Sequence, residues 1–66
     1  MEKFRILVVD DEEIVRESLY DWLRRDGYEV DTAQGGLVAL ERLKNQEYNV
    51  LLVDLKMHFL VERGYF

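Results

Sequence analysis

Ile6-Leu7-Val8-Val9-Asp10-Asp11 and Val50-Leu51-Leu52-Val53-Asp54 decide the fold. Each is a short apolar run that breaks off in aspartate, and neither alternates with polar residues. A run of that kind reads as a strand covered on both faces, the habit of parallel sheets. If the two strands are neighbours, three carboxylates, Asp10, Asp11 and Asp54, reach one end of a sheet, where open α/β folds place their ligands.

The remaining elements follow outward from these runs. Phe4 to Val9 forms the first strand, central in its sheet. From Glu12 to Arg25, Val15, Leu19, Trp22 and Leu23 recur at helical spacing with Ile14 widening the stripe, and Asp26-Gly27 supplies a stop because glycine accepts the left-handed conformation. Tyr28, Val30 and Thr32 alternate with Glu29 and Asp31, so a short second strand with one drier face should lie at an edge. Gln34-Gly35-Gly36 is a turn. Leu37, Ala39, Leu40 and Leu43 make a second amphipathic helix ending near Asn45, and Tyr48 to Leu55 is the third strand. Trp22 and the leucine stripes read as core.

The alternation of strand and helix implies parallel pairing, and right-handed crossovers put the two helices on opposite faces if the spatial order is 2-1-3. The third strand then sits at an open edge although it is apolar on both sides. Something should cover it.

Composition narrows the function classes. The 66 residues amount to one unit or part of one; they are 48% hydrophobic and 35% charged and contain no proline, which describes a globular chain. Burial and chain entropy nearly cancel at this length, and with no cysteine no disulfide can help, so a metal or a partner is the expected aid. A net charge of −5 argues against nonspecific binding to nucleic acid. No apolar stretch is long enough to span a bilayer, and Met1-Glu2-Lys3-Phe4-Arg5 lacks the apolar core of a signal peptide, so the expectation is a cytoplasmic protein without membrane contact.

Three gathered carboxylates repel one another unless a cation neutralises them. Magnesium suits such a site, since it prefers oxygen, keeps several waters and commonly uses a few carboxylates plus phosphate oxygens. Taken alone, Asp11 reads as the cap of the first helix, with Glu12 and Glu13 favoured by the helix dipole. Its coincidence with Asp10 and Asp54 at matching strand ends turns the reading towards a cation site. His58 reads as an ordinary tail residue, Gly35-Gly36 as a turn and not a nucleotide loop, and Arg24-Arg25 as a solvated helix end.

The stretches ILVVDDEEIVRESL and YNVLLVDLKM, with the Gly27-Tyr28 turn between them, resemble the receiver domain of two-component response regulators. The acidic pair, the single aspartate about 43 residues on and the methionine three residues after it carry the likeness, which covers residues 4 to 57. It implies the N-terminal part of a flavodoxin-like doubly wound α/β sheet, β-α-β-α-β. It also implies that Asp54 is the phosphoacceptor, that Asp10 and Asp11, with Asp54, hold magnesium, and that the Lys56 backbone carbonyl is a further metal ligand. A histidine kinase or phosphotransfer protein would be the partner.

After Met57 the text departs from the family, which has proline and a glycine-containing loop there. Residues 1–57 are therefore read as a partial receiver domain and 58–66 as a divergent tail. A hydroxyl residue on the family's fourth strand and a lysine on its fifth hold the phosphoryl oxygens, and neither has a counterpart in these residues. The tail's Phe59, Leu60, Val61, Tyr65 and Phe66 are too apolar to hang free. A homodimer through the third-strand edge and the tail is expected, with intrachain cover as the other possibility. Three functional classes compete: a phosphorylatable receiver acting through Asp54, a noncatalytic interaction module, and a hydrolase with Asp10 as nucleophile, the last disfavoured because no suitably spaced second acid follows.

Overall fold

The computed structural model describes residues 4–54. Five elements follow one another in that stretch: β1 (Arg5–Asp10), α1 (Glu13–Arg25), β2 (Glu29–Ala33), α2 (Gly36–Asn45) and β3 (Val50–Asp54). The strands form one parallel sheet in the order β2-β1-β3. Lys56, the divergent tail and the far end of the expected third strand lie outside the described residues.

β1 is central because its sequence tolerates burial on both sides. Ile6 to Asp10 are all buried, and they divide by parity between two clusters. Leu7 and Val9 pack with Ala33 and Ala39 on the face covered by α2. Ile6 and Val8 pack with Val30 on the other, against Leu19 and Leu23 of α1. The helices thus lie on opposite faces, as right-handed crossovers from a central first strand require.

The end of α1 is fixed by backbone chemistry legible in Asp26-Gly27-Tyr28. Gly27 has φ of +98°, the amide of Gly27 donates to the Arg24 carbonyl at 3.0 Å, and that of Tyr28 to the Leu23 carbonyl at 3.2 Å. This pair of bonds is a Schellman motif, and the apolar contact it favours between flanking residues is met by Tyr28 and Leu23 in one cluster. Phe4 extends it by a tilted ring contact with Tyr28, with centroids 5.7 Å apart.

At the opposite end of the sheet from the aspartates, Arg5 ties all three strands together. Its backbone N–H donates to Asn49 Oδ1 at 2.8 Å, and its carbonyl accepts from the Asn49 N–H at 2.8 Å. Its guanidinium meets Glu29 at 3.0 Å and Asp31 at 3.7 Å on β2. The Tyr48 hydroxyl donates to the same Asp31 oxygen. The alternating acids of β2 are thereby engaged rather than solvated.

Two sequence expectations about packing need correction. Trp22 is 62% exposed, and Leu37, Leu40 and Leu43 are 85%, 58% and 42% exposed, so none belongs to the core. The cause is lateral. Both helices pack over β1 and β2 and neither over β3 among the described residues, and Leu37, Leu40 and Leu43 border an open cleft with Leu51 and Val53. Periodicity identifies an apolar face but not whether anything meets it.

Candidate functional site

Parallel pairing in register sets Asp10 beside Asp54, the last matched pair of β1 and β3. Both share the parity of Val8 and Leu52, so both project from the α1 face of the sheet. Asp11 has already left the strand and is exposed at the turn into α1. The three predicted side chains thus lie at one end of the sheet, with Asp10 and Asp54 adjacent and Asp11 beyond them. The Lys56 carbonyl falls outside the described residues.

The adjacent aspartates differ in surroundings. Asp10 is 2% exposed, whereas Asp54 is open to solvent. One oxygen of Asp10, Oδ1, accepts from the Glu12 amide at 2.9 Å and so bridges the start of the helix. The other, Oδ2, is buried with no hydrogen-bond partner. A buried carboxylate oxygen without a donor is costly, by about 1–3 kcal/mol or more for a charged group. The cap of α1 is correspondingly not the one expected: its N-cap is Glu12, whose side chain makes no cap bond, and the neighbouring carboxylate in contact with the turn belongs to Asp10 rather than Asp11.

Arg16 was not singled out in the sequence, yet its guanidinium donates to the Asp10 carbonyl at 2.9 Å. Its signal was positional only: it stands six residues past Asp10, one turn into the helix, close enough for a long side chain to reach back. Arg16 also borders an open polar cleft of about 510 Å³ with Asp11, Glu13 and the Gln34–Gly36 turn, so the acidic end carries one anchored cation on its α1 side.

The orphaned, buried Asp10 oxygen is a hard donor of the kind that a divalent cation takes. Among the described residues no three His, Cys, Asp or Glu side chains are gathered tightly enough to hold a metal ion by themselves. A cation here would therefore draw on water and backbone oxygen as well as carboxylate, the mixed coordination magnesium favours.

The model of the response regulator receiver domain matches residues 6–61. The chain belongs to the response regulator receiver family. Curated relatives agree. Response regulator MprA of Mycobacterium sp. (strain KMS) is 45% identical over 53 residues, covering 80% of this chain and 23% of that protein. Response regulator MprA of Mycobacterium ulcerans (strain Agy99) is 45% identical over the same shares. Protein-glutamate methylesterase/protein-glutamine glutaminase 1 of Anaeromyxobacter dehalogenans (strain 2CP-C) is 42% identical over 53 residues, 80% of this chain and 15% of that protein. The receiver chain spans less than a quarter of the length of these relatives. No solved structure matches it. Membership places the receiver in two-component signalling, in a family of phosphoacceptors rather than classical enzymes. No helix among the described residues is long and apolar enough to cross a membrane.

Proposed function

We propose that this receiver accepts a phosphoryl group on Asp54 from a histidine kinase or phosphotransfer protein, with magnesium as cofactor, in the cytoplasm. The observation that carries the proposal is the register pairing of Asp10 with Asp54, one buried with an orphaned oxygen and the other exposed. That difference divides the labour. Asp54 is accessible to an incoming donor, while Asp10, buried and bonded to the Glu12 amide, is suited to holding a cation and unsuited to attack, which also counts against Asp10 as a hydrolase nucleophile.

In the transfer, a carboxylate oxygen of Asp54 forms a bond to phosphorus as the bond from phosphorus to the donor's nitrogen breaks. The electron pair of that bond leaves with the donor. Magnesium, when bound, supplies charge neutralisation between two anions that would otherwise repel. Asp10, Asp11 and Asp54 would hold it, with the Lys56 carbonyl. Arg16 donates to the Asp10 carbonyl and so ties the end of β1 to α1. The acyl phosphate adds charge and acceptor oxygens at a loop, the kind of local change that switches a partner surface.

The test is intact mass measurement after incubation with magnesium and acetyl phosphate, beside Asp54→Ala. A gain of one phosphoryl group, lost in the variant and on chelation, supports the proposal. A folded protein that gains nothing returns the chain to the other reading, a noncatalytic module that binds kinases or intact receivers, whose binding Asp54→Ala would spare.

A further inference from the structure

The meeting of Asp10 with Asp54 depends on the register of β3 against β1, and the side chains along the two strands do not fix it. Ile6 to Val9 lie opposite Val50 to Val53, and both runs are apolar on both faces. A strand with one polar face resists a slip of one residue, because the slip turns its apolar set towards water. Here a slip leaves apolar side chains opposite apolar ones at most rungs. Its effect on the site is nevertheless large. Moving β3 by one residue turns Asp54 to the other face of the sheet from Asp10, and moving it by two displaces it by about 6.6 Å along the strand. Two oxygens on one magnesium lie at most about 4.2 Å apart, and the Asp10 carboxylate is held where it is by the Glu12 amide.

Two contacts at the far end of the ladder supply what the apolar runs lack. Asn49 meets Arg5 twice: its backbone N–H donates to the Arg5 carbonyl at 2.8 Å, and its Oδ1 accepts from the Arg5 N–H at 2.8 Å. In a longer parallel ladder that second donor would go to the carbonyl two residues before Asn49. β3 begins too late to offer one, and the Asn49 side chain takes its place. Tyr48 is the second contact. Its ring packs against the cluster of Leu7, Val9, Ala33 and Ala39, and its hydroxyl passes over β1 to donate to Asp31 of β2, the ladder partner of Leu7. The Arg5 guanidinium, 3.7 Å from the same Asp31 oxygen, steadies the acceptor.

We propose that Tyr48 and Asn49 are positioning residues for the chemistry at Asp54, a clamp that admits one register of β3 and so sets Asp54 beside Asp10 from the opposite end of the sheet. Both contacts belong to that register alone. A slip of one residue carries Asn49 past Arg5 and turns the Tyr48 ring away from Asp31 to the α1 face. Neither residue lies at the acidic end, so both act on it through the ladder. The functional consequence rests on the reading of Asp54 as phosphoacceptor; the clamp itself does not.

Register and chemistry can be read separately on the full 66-residue chain. Nuclear magnetic resonance gives the register from cross-strand contacts, Leu7 with Leu51 and Val9 with Val53 in the wild type, and calorimetric titration gives the affinity for magnesium. Asn49→Leu removes the acceptor, Asn49→Asp keeps it, and Tyr48→Phe keeps the ring but loses the donor. The Arg5 amide should be protected from exchange in the wild type and unprotected in Asn49→Leu. Tyr48→Phe combined with Asn49→Leu should stay folded, show cross-strand contacts displaced along β1, and bind magnesium roughly tenfold more weakly or worse, as the loss of two hydrogen bonds implies. With Asp in place of Asn49 and Tyr48 intact, register and affinity should match the wild type. Gly27→Ala, which weakens the end of α1, should lose stability and keep both. A pair that merely stabilised the fold would behave like Gly27→Ala, so a folded double variant with wild-type register and affinity overturns the proposal, as does an Arg5 amide that exchanges freely in the wild type. If the double variant does not fold, the Arg5 amide and the two single variants decide by the same readings. A wild type that shows this register but takes up neither magnesium nor a phosphoryl group refutes the reading of Asp54 and leaves the clamp standing.

Discussion

Asp10 and Asp54 are paired in register across adjacent parallel strands, yet the first is sealed from water and the second exposed. The sheet places them side by side, and Asp10 is tied to the start of α1 through the Glu12 amide on its side chain and the Arg16 guanidinium on its carbonyl.

The unpaired Oδ2 of Asp10 makes that residue a stability liability in the absence of a cation. Asp10→Asn keeps an oxygen for the Glu12 amide and removes the buried charge. It relieves the repulsion from neighbouring Asp54 but leaves an NH2 in place of the unmatched oxygen, so the cation-free protein should be stabilised by about 1 kcal/mol, which for a domain this small raises the melting temperature by about 4–8 °C. Thermal melts in a chelator check it, and a lower melting temperature for the variant would refute it.

Magnesium should stabilise the wild type through the same oxygen. Ligand linkage gives about 2.7 kcal/mol when the free ion exceeds its dissociation constant a hundredfold. Chelation should reverse the gain. Asp10→Asn and Asp54→Asn should each lose most of it, as read by melting temperature against magnesium concentration.

Gly27 closes α1 at φ of +98°, a conformation strained for any residue with a Cβ even though the space around it is open. Gly27→Ala should cost about 1–2 kcal/mol in denaturant unfolding. Gly27→Asn should cost less, because asparagine tolerates this region better. Equal stability of all three proteins would mean the Schellman bonds contribute nothing.

Tyr48 gives a signature at alkaline pH. Burial, then the hydrogen bond to Asp31, then the negative charge of Asp31 push its hydroxyl from 10.0 up to about 12. An unfolded chain releases that proton near 10, whereas the folded one keeps it to about 12. Between these values the native state binds more protons, so the contribution is full below pH 10 and is lost as pH rises towards 12. Tyr48→Phe should remove a phenolate absorbance step from the upper part of the titration and flatten the fall in stability across that window.

Much of this receiver was legible in order. Ile6 to Val9 announced a strand buried on both faces, which suited the 2-1-3 order that the sheet shows, and with that order right-handed crossovers oppose the two helices. Asp26-Gly27 announced the end of α1 because a left-handed backbone has few residue solutions. Such features are local, or follow from chain handedness, and local sequence carries them. The roles of Arg5, Arg16 and Tyr48 were not legible. Arg5 finds Glu29 and Asp31 only once β1 and β2 are in register, and Tyr48 reaches Asp31 only across the whole sheet.

The sequence by itself determined which residues could form the site: three aspartates at the ends of apolar runs, and the alternation that makes the runs parallel neighbours. Only the tertiary structure decided that Asp10 is buried with one oxygen unmatched while Asp54 is open, and that Trp22 and the leucines of α2 stay outside the core formed by the described residues. The physical reason is common to both. A side chain's type and spacing are written along the chain, but burial is a property of what lies next to it in space, and each of those neighbours arrives from a distant part of the sequence.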